Sequence, residues 1–345
     1  MEYPKFKVGC RCITYNHAPY ITETMNGFCI QKTDFPFVCM IIDDASNDGE
    51  QSIIRKFLKE HFDFTPYSGS YEKETEYADI IYARHKANTN CYFVVLFLKE
   101  NHYSQGKSYK KYQYILEWSS LCKYIALCEG DDYWIDASKI QKQADYLDEF
   151  ADCGMCYTKA LKYFQKAEKL GSKPYGGNGE EYVNFLETNC VPTLTAIIRN
   201  NVLNEFYERI RPETKKWRMG DLPLWLFISH EYKVKFLDEV TGVYRVNESS
   251  ASQSTNLQVY LDFMESAYQI RMFFIDYFGE QVDVDRIMRS HYISIAYYSF
   301  LKFKSRQLAI NYMKKIKYKT LLDRLKIVIF YVPILAKIYK KIILR

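Results

Sequence analysis

The sequence lacks several features that would place it in a familiar class of protein. Its first residues, Met-Glu-Tyr-Pro-Lys, form no apolar signal region, so nothing indicates export. It contains no internal repeat and no low-complexity segment, which leaves no sign of a repeat architecture. The six histidines are scattered without the spacing of metal ligands, and we interpret His17 as a surface loop residue.

Cysteine, by contrast, is plentiful. Ten cysteines in a chain without a signal region predict a reducing, cytoplasmic location. Cys153 and Cys156 have the spacing of a redox motif or of half a zinc site, but no second pair matches them. Because the segment around them is typical of a strand, we predict buried thiols at both positions.

Adjacent acidic residues are the most informative feature that is present. With 42 acidic residues in 345, chance predicts roughly five adjacent acidic pairs, and the chain has five, so placement must distinguish them. Asp131-Asp132 follows the apolar run Tyr124 to Cys128, which predicts a buried strand, and precedes a predicted helix. Ligands of open α/β sheets bind outside the carboxyl ends of the strands, so this pair is placed to meet a bound molecule.

A second acidic pair, Asp43-Asp44, also ends an apolar run, from Phe35 to Ile42. Upstream, the segment Lys7 to Ile13 predicts a first strand, and a turn and an amphipathic helix follow it. The order strand, helix, strand, helix predicts an α/β fold with a doubly wound, mostly parallel, Rossmann-like sheet.

Three strand ends are then expected to meet at one edge of the sheet. Tyr15 would offer a flat ring for stacking, Asp44 a hydrogen-bond acceptor, and Asp131 with Asp132 hard oxygen ligands. A nucleoside diphosphate with a divalent cation requires these groups, because Mg²⁺ is usually held by one or two carboxylates together with phosphates. The pattern therefore predicts a nucleotide site.

Five motifs stand in order along the chain. They are Ile13-Thr-Tyr-Asn16, Ile41-Ile-Asp-Asp-Ala-Ser46, Glu129-Gly-Asp-Asp-Tyr-Trp134, Gly220-Asp-Leu-Pro-Leu-Trp225 and Tyr244-Arg-Val-Asn-Glu-Ser-Ser250. In this series the chain resembles bacterial family 2 glycosyltransferases of the GT-A fold, over roughly residues 5 to 255. The resemblance implies a nucleotide-sugar donor, usually UDP-linked, an inverting transfer, and a divalent metal, Mg²⁺ or Mn²⁺, at the acidic motif.

The resemblance also implies roles for individual residues. The positions that it assigns to the nucleotide-sugar are Thr14, Tyr15, Asn16, Asp44, Lys107, Asp131 and Arg245. Asp132 would ligate the metal together with Asp131, and Asp221 would be the general base. The chain departs from the family pattern where Ala45-Ser46 replaces the usual Gly-Ser, where Gln105-Gly106-Lys107 forms the next turn, and where the polar segment Tyr67 to Asn90 suggests a loop insertion.

Asp221 precedes the apolar segment Leu222 to Ile228, which predicts the start of a helix. Sugar transfer needs a stabilised leaving group and a deprotonated acceptor hydroxyl, and with a metal on the diphosphate one base suffices. Burial would raise the pKa of Asp221 towards a useful value. The alternative is that Asp221 only caps the helix.

The C-terminal part of the chain differs in charge and in pattern. After Ser254 the periodicity predicts helices, and from Phe300 to Arg345 there are 13 Lys and Arg but one acid, so this segment carries 13 − 1 = +12. We predict a GT-A catalytic domain at 1–255, with a nucleotide-sugar-binding half at about 1–135 and an acceptor half at 136–255. A helical extension at 256–320 and a basic tail at 321–345 complete the predicted chain.

The tail contains an apolar run of ten residues, Ile327 to Ala336, which is too short to cross a bilayer. Pro333 should kink or restart a helix, and beyond it lysines and apolar residues follow different faces. This pattern is typical of an in-plane membrane helix that meets anionic lipid. The alternative is a helix that packs on the protein or on a second subunit, which leaves a homodimer open, whereas a nucleic-acid partner is not indicated because base-reading residues are lacking.

The sequence thus predicts a metal-assisted, inverting glycosyltransferase, cytoplasmic and peripheral on the inner face of the cell membrane. The predicted acceptor is a glycan or a lipid-linked oligosaccharide of bacterial surface polysaccharide synthesis. Two alternatives from other classes remain, namely a non-catalytic nucleotide-sugar-binding or membrane scaffold and a metal-dependent nucleotidyltransferase.

Overall fold

The computed structural model describes residues 3–106, 108–177, 179–247, 254, 256–317 and 319–335. The strands are β1 (Phe6–Thr14), β2 (Phe37–Asp43), β3 (Phe62–Asp63), β4 (Tyr71–Glu74), β5 (Ala78–His85), β6 (Cys91–Leu98), β7 (Cys122–Leu127), β8 (Tyr133–Trp134), β9 (Cys153–Phe164), β10 (Lys169–Leu170), β11 (Ile197–Arg199) and β12 (Lys233–Val246). The α-helices are α1 (Ile21–Cys29), α2 (Glu50–His61), α3 (Ser108–Ser119), α4 (Lys139–Glu149), α5 (Tyr182–Glu187), α6 (Asn200–Ile210), α7 (Asp221–Glu231), α8 (Leu257–Phe278), α9 (Val284–Leu301), α10 (Arg306–Lys315) and α11 (Leu321–Tyr331).

One mixed sheet joins these strands in the order β3-β5-β6-β2-β1-β7-β11-β9-β12-β8, with β4 paired to β5 and β10 to β9. Its centre is parallel, because β2 pairs in parallel with β6 and β1, and β1 with β7. β5 pairs antiparallel with β6, and β11 pairs antiparallel with β7 and β9, whereas β9 and β12 pair in parallel. The predicted fold class, an α/β sheet followed by a helical C-terminal region, is confirmed.

The chain forms two compact units. Unit 1 contains Met1–Glu180, Cys190–Thr214 and Ile228–Val246, and unit 2 contains Glu181–Asn189, Lys215–Phe227 and Asn247–Arg345. Unit 1 therefore holds the sheet, and unit 2 holds α8 to α11 together with two short segments from the middle of the chain.

The core of unit 1 lies between the sheet and the apolar faces of α1, α2 and α4. The faces follow the helical period, since Ile21, Met25 and Phe28 of α1 are fully buried. On α4 the fully buried apolar residues are Ile140, Ala144 and Leu147. β2 is buried along its whole length, as expected for a central parallel strand covered on both faces.

The prediction of a loop insertion at Tyr67 to Asn90 is wrong. This segment contains β4 and β5, and β5 pairs antiparallel with β6 and contributes Ile80, Ile81 and Tyr82 to the buried sheet. The charged strand β4 lies beside β5, and the flanking Gly, Ser and Glu residues obscured a short apolar run that is sufficient for a strand.

The two cysteines with the spacing of a redox motif, Cys153 and Cys156, belong to unit 1. Cys153 and Cys156 are buried, as predicted, and all ten cysteines of the chain are free thiols. Burial raises the pKa of both Cys153 and Cys156, so these thiols are neutral and packed rather than reactive.

In unit 2, α11 packs against its neighbours through one face. Phe330 is buried with its ring 4.7 Å from that of Phe300 on α9. Asp323 is also buried, and its carboxylate accepts hydrogen bonds from the Arg289 guanidinium at 2.8 and 3.0 Å. The described part of the predicted tail, 321–335, is therefore anchored to protein, while 336–345 lie outside the described residues. None of the helices described is long and apolar enough to cross a membrane.

Candidate active site

Three strand ends adjoin at the carboxyl edge of the parallel strands. Thr14 at the end of β1 lies opposite Asp43 at the end of β2, and the Asp44 N–H donates to the Thr14 carbonyl at 2.9 Å. On the other side of β1, the Gly130 N–H donates to the Ile13 carbonyl at 3.2 Å. The loops after β1, β2 and β7 are therefore held side by side, where the sequence predicted a ligand.

The loop after β1 presents its polar groups in two directions. Tyr15 is 43% exposed, so its side chain is accessible to a ligand. Asn16 has φ +56°, a left-handed conformation that Asn tolerates better than most residues. Its N–H donates to Ser46 Oγ at 2.8 Å and its side-chain oxygen accepts from Asn47 N–H at 2.9 Å, so Asn16 joins the first loop to the second.

Glu50, the first residue of α2, links the loops after β1 and β2 through hydrogen bonds. Its fully buried carboxylate accepts hydrogen bonds from the hydroxyl of Thr14, from the His17 N–H at 2.8 Å and from Ser46 Oγ at 2.9 Å. The sequence does not single out Glu50, because an acidic residue in the first turn of a helix is common and its partners Thr14 and His17 lie 36 and 33 positions away.

The first acidic pair is already bonded to protein groups. Asp44 Oδ1 accepts from the His102 N–H at 2.8 Å, and Oδ2 accepts from the Tyr103 N–H at 3.2 Å and from Lys111 Nζ at 2.8 Å. Asp43 accepts from the side chain of Gln51, and burial raises the pKa of Asp43 to about 6. Three protein donors therefore already use the Asp44 carboxylate. A base N–H, the predicted partner of Asp44, would have to share it with them.

The second acidic pair is held through its backbone. Thr24 Oγ1 donates to the carbonyls of Gly130 at 3.0 Å and Asp132 at 2.6 Å. Asp132 is buried, and its Oδ1 accepts from the Arg245 N–H at 2.8 Å. Burial raises the pKa of Asp132, and the negative charge of Asp131 raises it further.

Arg245 lies in a cage of protein groups. Its Nε donates to the Asp131 carbonyl at 2.9 Å, and its terminal nitrogens donate to Gln165 Oε1 at 2.7 Å and to the Glu23 carboxylate. The rings of Tyr20, Tyr163 and Tyr133 surround the guanidinium carbon at 4.5, 5.1 and 5.6 Å from their centroids. In this arrangement Arg245 holds the acidic loop in place, and its contact with the nucleotide-sugar stays a prediction.

Of the other predicted site residues, Lys107 is outside the described residues. Asp221 belongs to unit 2, begins α7 and is partly buried. Its carboxylate accepts from Asn189 Nδ2 at 3.0 Å and from the Leu222 N–H at 2.8 Å, so it does contribute to the helix start. The role of Asp221 as the base stays a prediction.

The residues of the acidic motif fit a divalent cation chemically. Asp131 and Asp132 supply hard carboxylate oxygens, and Asp131 Oδ2 faces His17 Nε2 across 4.0 Å. Within the described part of the chain, no three His, Cys, Asp or Glu side chains are grouped closely enough to hold a metal ion by themselves. A cation at this motif would be held by Asp131 and Asp132 together with oxygens of a phosphate-bearing ligand, which is the usual arrangement for Mg²⁺.

The chain has sequence relatives among known proteins. No protein-family model matches the chain. The uncharacterised proteins Rv1520 of Mycobacterium tuberculosis and Mb1547 of Mycobacterium bovis are each 30% identical to it over 212 residues, which is 58% of this chain and 51% of each relative. The chain thus spans about half the length of the curated relatives it matches.

Solved structures of S. aureus TarS have a similar fold. TarS 1-349 superposes with a TM-score of 0.53 at 16% identity, covering 90% of this chain and 81% of that one. The same protein in complex with UDP-GlcNAc gives a TM-score of 0.51 at 16% identity, covering 90% and 80%. At this identity the likeness establishes the shared fold alone.

Proposed function

We propose that the chain is a glycosyltransferase that moves a sugar from a nucleotide-diphospho-sugar, most simply a UDP-sugar, to a hydroxyl of a glycan or lipid-linked acceptor, with inversion and with a divalent metal. One observation carries the proposal. The ends of three adjoining strands bring Tyr15, Asp44 and the pair Asp131-Asp132 to one edge of the sheet. The similar fold of S. aureus TarS, which was crystallised with UDP-GlcNAc, supports the same assignment.

Each end of this edge suits a different part of the donor. The exposed ring of Tyr15 can stack on a base, and the neighbouring Asp44 carboxylate can accept from a base N–H. The carboxylates of Asp131 and Asp132 lie on the opposite side of β1, where Mg²⁺ or Mn²⁺ would stabilise the charge of the leaving diphosphate when bound. Arg245 and Thr24 fix the loop that carries both carboxylates, so little reorganisation is needed.

The transfer step requires one base on the acceptor side. We assign this role to Asp221, whose carboxylate would take the proton of the acceptor hydroxyl while that oxygen bonds to the sugar carbon and the bond to the nucleoside diphosphate breaks. Asn189 and the start of α7 hold this carboxylate in one orientation. Direct displacement by the acceptor inverts the configuration at the sugar carbon.

Separate measurements of donor binding and of sugar transfer test these roles. Screening nucleotide-sugars for thermal stabilisation with Mn²⁺ identifies the donor, since a ligand at 100 times its dissociation constant adds about 2.7 kcal/mol. With that donor, Asp132→Asn should abolish metal-dependent turnover in a folded protein, and Asp221→Asn should keep donor affinity and lose transfer. Asp238→Asn, in another adjacent acidic pair with an exposed side chain, is the matched control and should change neither.

The outcomes also separate the alternatives. A protein that binds the donor but never releases nucleoside diphosphate is a scaffold. One that forms a nucleotide-sugar from a nucleoside triphosphate and a sugar phosphate is a nucleotidyltransferase. Equal loss of binding and transfer in Asp221→Asn would make Asp221 a structural residue, and full activity of Asp132→Asn would remove its metal role.

Membrane attachment is a second part of the proposal, and it rests on the outer face of α11. Opposite the packed residues, Leu321, Leu325 and Val328 form an exposed stripe at helical spacing, each more than half exposed. Lysines 314, 315, 317 and 319 line a nearby cavity of about 520 Å³ in the same unit. Apolar side chains with neighbouring cations are typical of a surface that lies on anionic lipid.

The packing of α11 determines how attachment should be tested. Deleting 321–345 would remove Phe330 from its core and leave Arg289 without Asp323, so it would confuse unfolding with release. Changing Leu321, Leu325 and Val328 to Ser leaves those contacts intact and should reduce co-sedimentation with anionic vesicles. The control changes three exposed apolar residues of unit 1 to Ser, namely Phe64, Leu116 and Leu170. Equal binding of both variants would end the membrane assignment.

A further inference from the structure

A chain of hydrogen bonds fixes the tautomer of His17. The hydroxyl of Thr14 has one proton, which it donates to the buried carboxylate of Glu50. The same oxygen lies 3.2 Å from His17 Nδ1. Because the Thr14 proton is already used, the hydroxyl oxygen must accept from Nδ1–H. A neutral His17 therefore carries its proton on Nδ1 and a lone pair on Nε2.

That lone pair faces a carboxylate. His17 Nε2 lies 4.0 Å from Asp131 Oδ2, which is too far for a hydrogen bond. A divalent cation bonds to imidazole nitrogen and carboxylate oxygen at about 2.1 Å, so two such bonds span up to about 4.2 Å. The 4.0 Å between Nε2 and Oδ2 is therefore within the reach of one cation bound by both atoms.

The surrounding loops hold the imidazole in this position. The His17 N–H donates to Glu50 Oε2 at 2.8 Å, and the His17 carbonyl accepts from the N–H groups of Tyr20 and Ile21 at 2.8 and 3.0 Å. Residue 130 must be glycine here, because a Cβ would lie 2.1 Å from Thr14 Oγ1 and 3.1 Å from His17 Nδ1. The position of the ring thus depends on three separate segments of unit 1.

We propose that His17 is a ligand of the divalent cation, which Nε2 would hold together with Asp131 and the oxygens of the phosphate-bearing ligand, with Thr14 and Glu50 as the groups that orient it. This inference rests on the proposed function, which places a cation at the acidic motif. Ligating histidines usually donate their other ring N–H to a neighbouring acceptor, and here Thr14 is that acceptor and passes the bond on to a carboxylate.

A nitrogen ligand has a consequence for metal choice. Mg²⁺ is suited by carboxylate and water oxygens, whereas imidazole favours transition metals. The site should therefore bind Mn²⁺ more tightly than Mg²⁺, and later transition ions such as Co²⁺ more tightly still. Replacing His17 by Gln should lower Mn²⁺ affinity about tenfold or more and change Mg²⁺ affinity less, so that the preference for Mn²⁺ over Mg²⁺ becomes smaller.

Pulsed electron paramagnetic resonance of bound Mn²⁺ tests the ligand directly, without turnover. The full chain with Mn²⁺ and UDP should show hyperfine coupling to one imidazole nitrogen, and His17→Gln should lose it. His230→Gln is the matched control, because His230 is as exposed as His17 and also lies beside a carboxylate, Glu231. Labelling histidine with nitrogen-15 in the wild-type chain should change the coupling without any substitution, and Thr14→Val should weaken Mn²⁺ binding with His17 present.

The results separate this inference from the proposed function. If Mn²⁺ binds but shows no nitrogen coupling, or if the coupling survives in His17→Gln, the inference is wrong and the metal-assisted transferase stands. If neither the wild-type chain alone nor the chain with UDP binds Mn²⁺, the metal role in the proposed function is wrong as well. Loss of the coupling in His17→Gln and its retention in His230→Gln would establish the ligand.

Discussion

Two identical dipeptides end neighbouring parts of the same sheet, and their surroundings differ. Asp43-Asp44 lies at the end of β2, and the Asp44 carboxylate accepts from the N–H groups of His102 and Tyr103 and from Lys111, whose charge balances it. Asp131-Asp132 lies after β7, where Thr24 and Arg245 bond its backbone carbonyls, the Arg245 N–H donates to Asp132 Oδ1, and the charge of Asp131 raises the pKa of Asp132. The protein thus supplies the first pair with a cationic partner, Lys111.

The difference indicates what each pair contributes. A buried carboxylate that has a lysine partner and several donors is part of the fold, because its charge is compensated by the protein. Where two carboxylates are adjacent and one raises the pKa of the other, binding of an external cation is favoured, because a divalent ion offsets both charges. We therefore assign stability chiefly to the pair after β2 and chemistry to the pair after β7.

The largest expected effect is on turnover after the change Asp131→Asn. We expect donor turnover to fall about a hundredfold or more, equivalent to about 2.7 kcal/mol of transition-state stabilisation, because a hard anionic ligand becomes neutral. Stability should not fall, since the substitution would remove the repulsion between Asp131 and Asp132. Steady-state release of nucleoside diphosphate and urea unfolding measure the two effects. A large loss of stability would make this pair structural, like the first.

Asp44→Asn should show the opposite balance. Asp44 and Lys111 are 3% and 6% exposed, and their charged atoms are 2.8 Å apart. Removing one partner leaves a buried charge, which costs about 3 kcal/mol in unfolding free energy. The double variant Asp44→Asn with Lys111→Met should lose less than the sum of the single variants.

The control for this cycle is an exposed pair of the same type. Lys99 and Glu74 are 38% and 77% exposed, so Lys99→Met should cost far less than Asp44→Asn. If Asp44→Asn costs no more than Lys99→Met, the buried ion pair does not support the fold. Donor affinity measured on the folded fraction reports separately on the predicted contact of Asp44 with the base.

The pH dependence of Asp43 sharpens the comparison within the first pair. Burial raises the pKa of Asp43 from 3.8 to about 6, so the folded chain binds a proton that the unfolded chain has lost. The stability that Asp43 contributes is full below about pH 4 and is lost as the pH rises to about 6. Asp43→Asn should therefore gain stability relative to the wild type across this range, by on the order of 2 kcal/mol. A difference that stays constant from pH 4 to pH 6 would contradict the assignment.

Local pattern was enough to predict the strands that carry both pairs, because apolar runs and helical periods are properties of neighbouring residues. It could not predict Lys111 for Asp44, or Glu23 and Gln165 for Arg245, since these partners lie 67, 222 and 80 positions away and meet only in the folded sheet. His17 was interpreted as a surface residue for the same reason. Its relation to Asp131 depends on the parallel pairing of β1 with β7.

The smallest expected effect concerns the turn after the first pair. Ala45 has φ +62°, a left-handed conformation that costs a residue with a Cβ about 1 kcal/mol and costs glycine little. Where the sequence departs from the usual Gly-Ser, the chain therefore retains the backbone that suits glycine.

Ala45→Gly should raise the unfolding free energy by about 0.5 kcal/mol, because the relief of strain exceeds the extra flexibility of the unfolded chain. The reverse change shortly after it in the chain, Gly49→Ala at φ +97°, should lower it by about 1 kcal/mol. Thermal unfolding of the two variants beside the wild type measures both. Because neither change touches a carboxylate, turnover should stay within about twofold, and a larger loss in Ala45→Gly would show that the strained turn positions Asp44 for the donor rather than only for the fold.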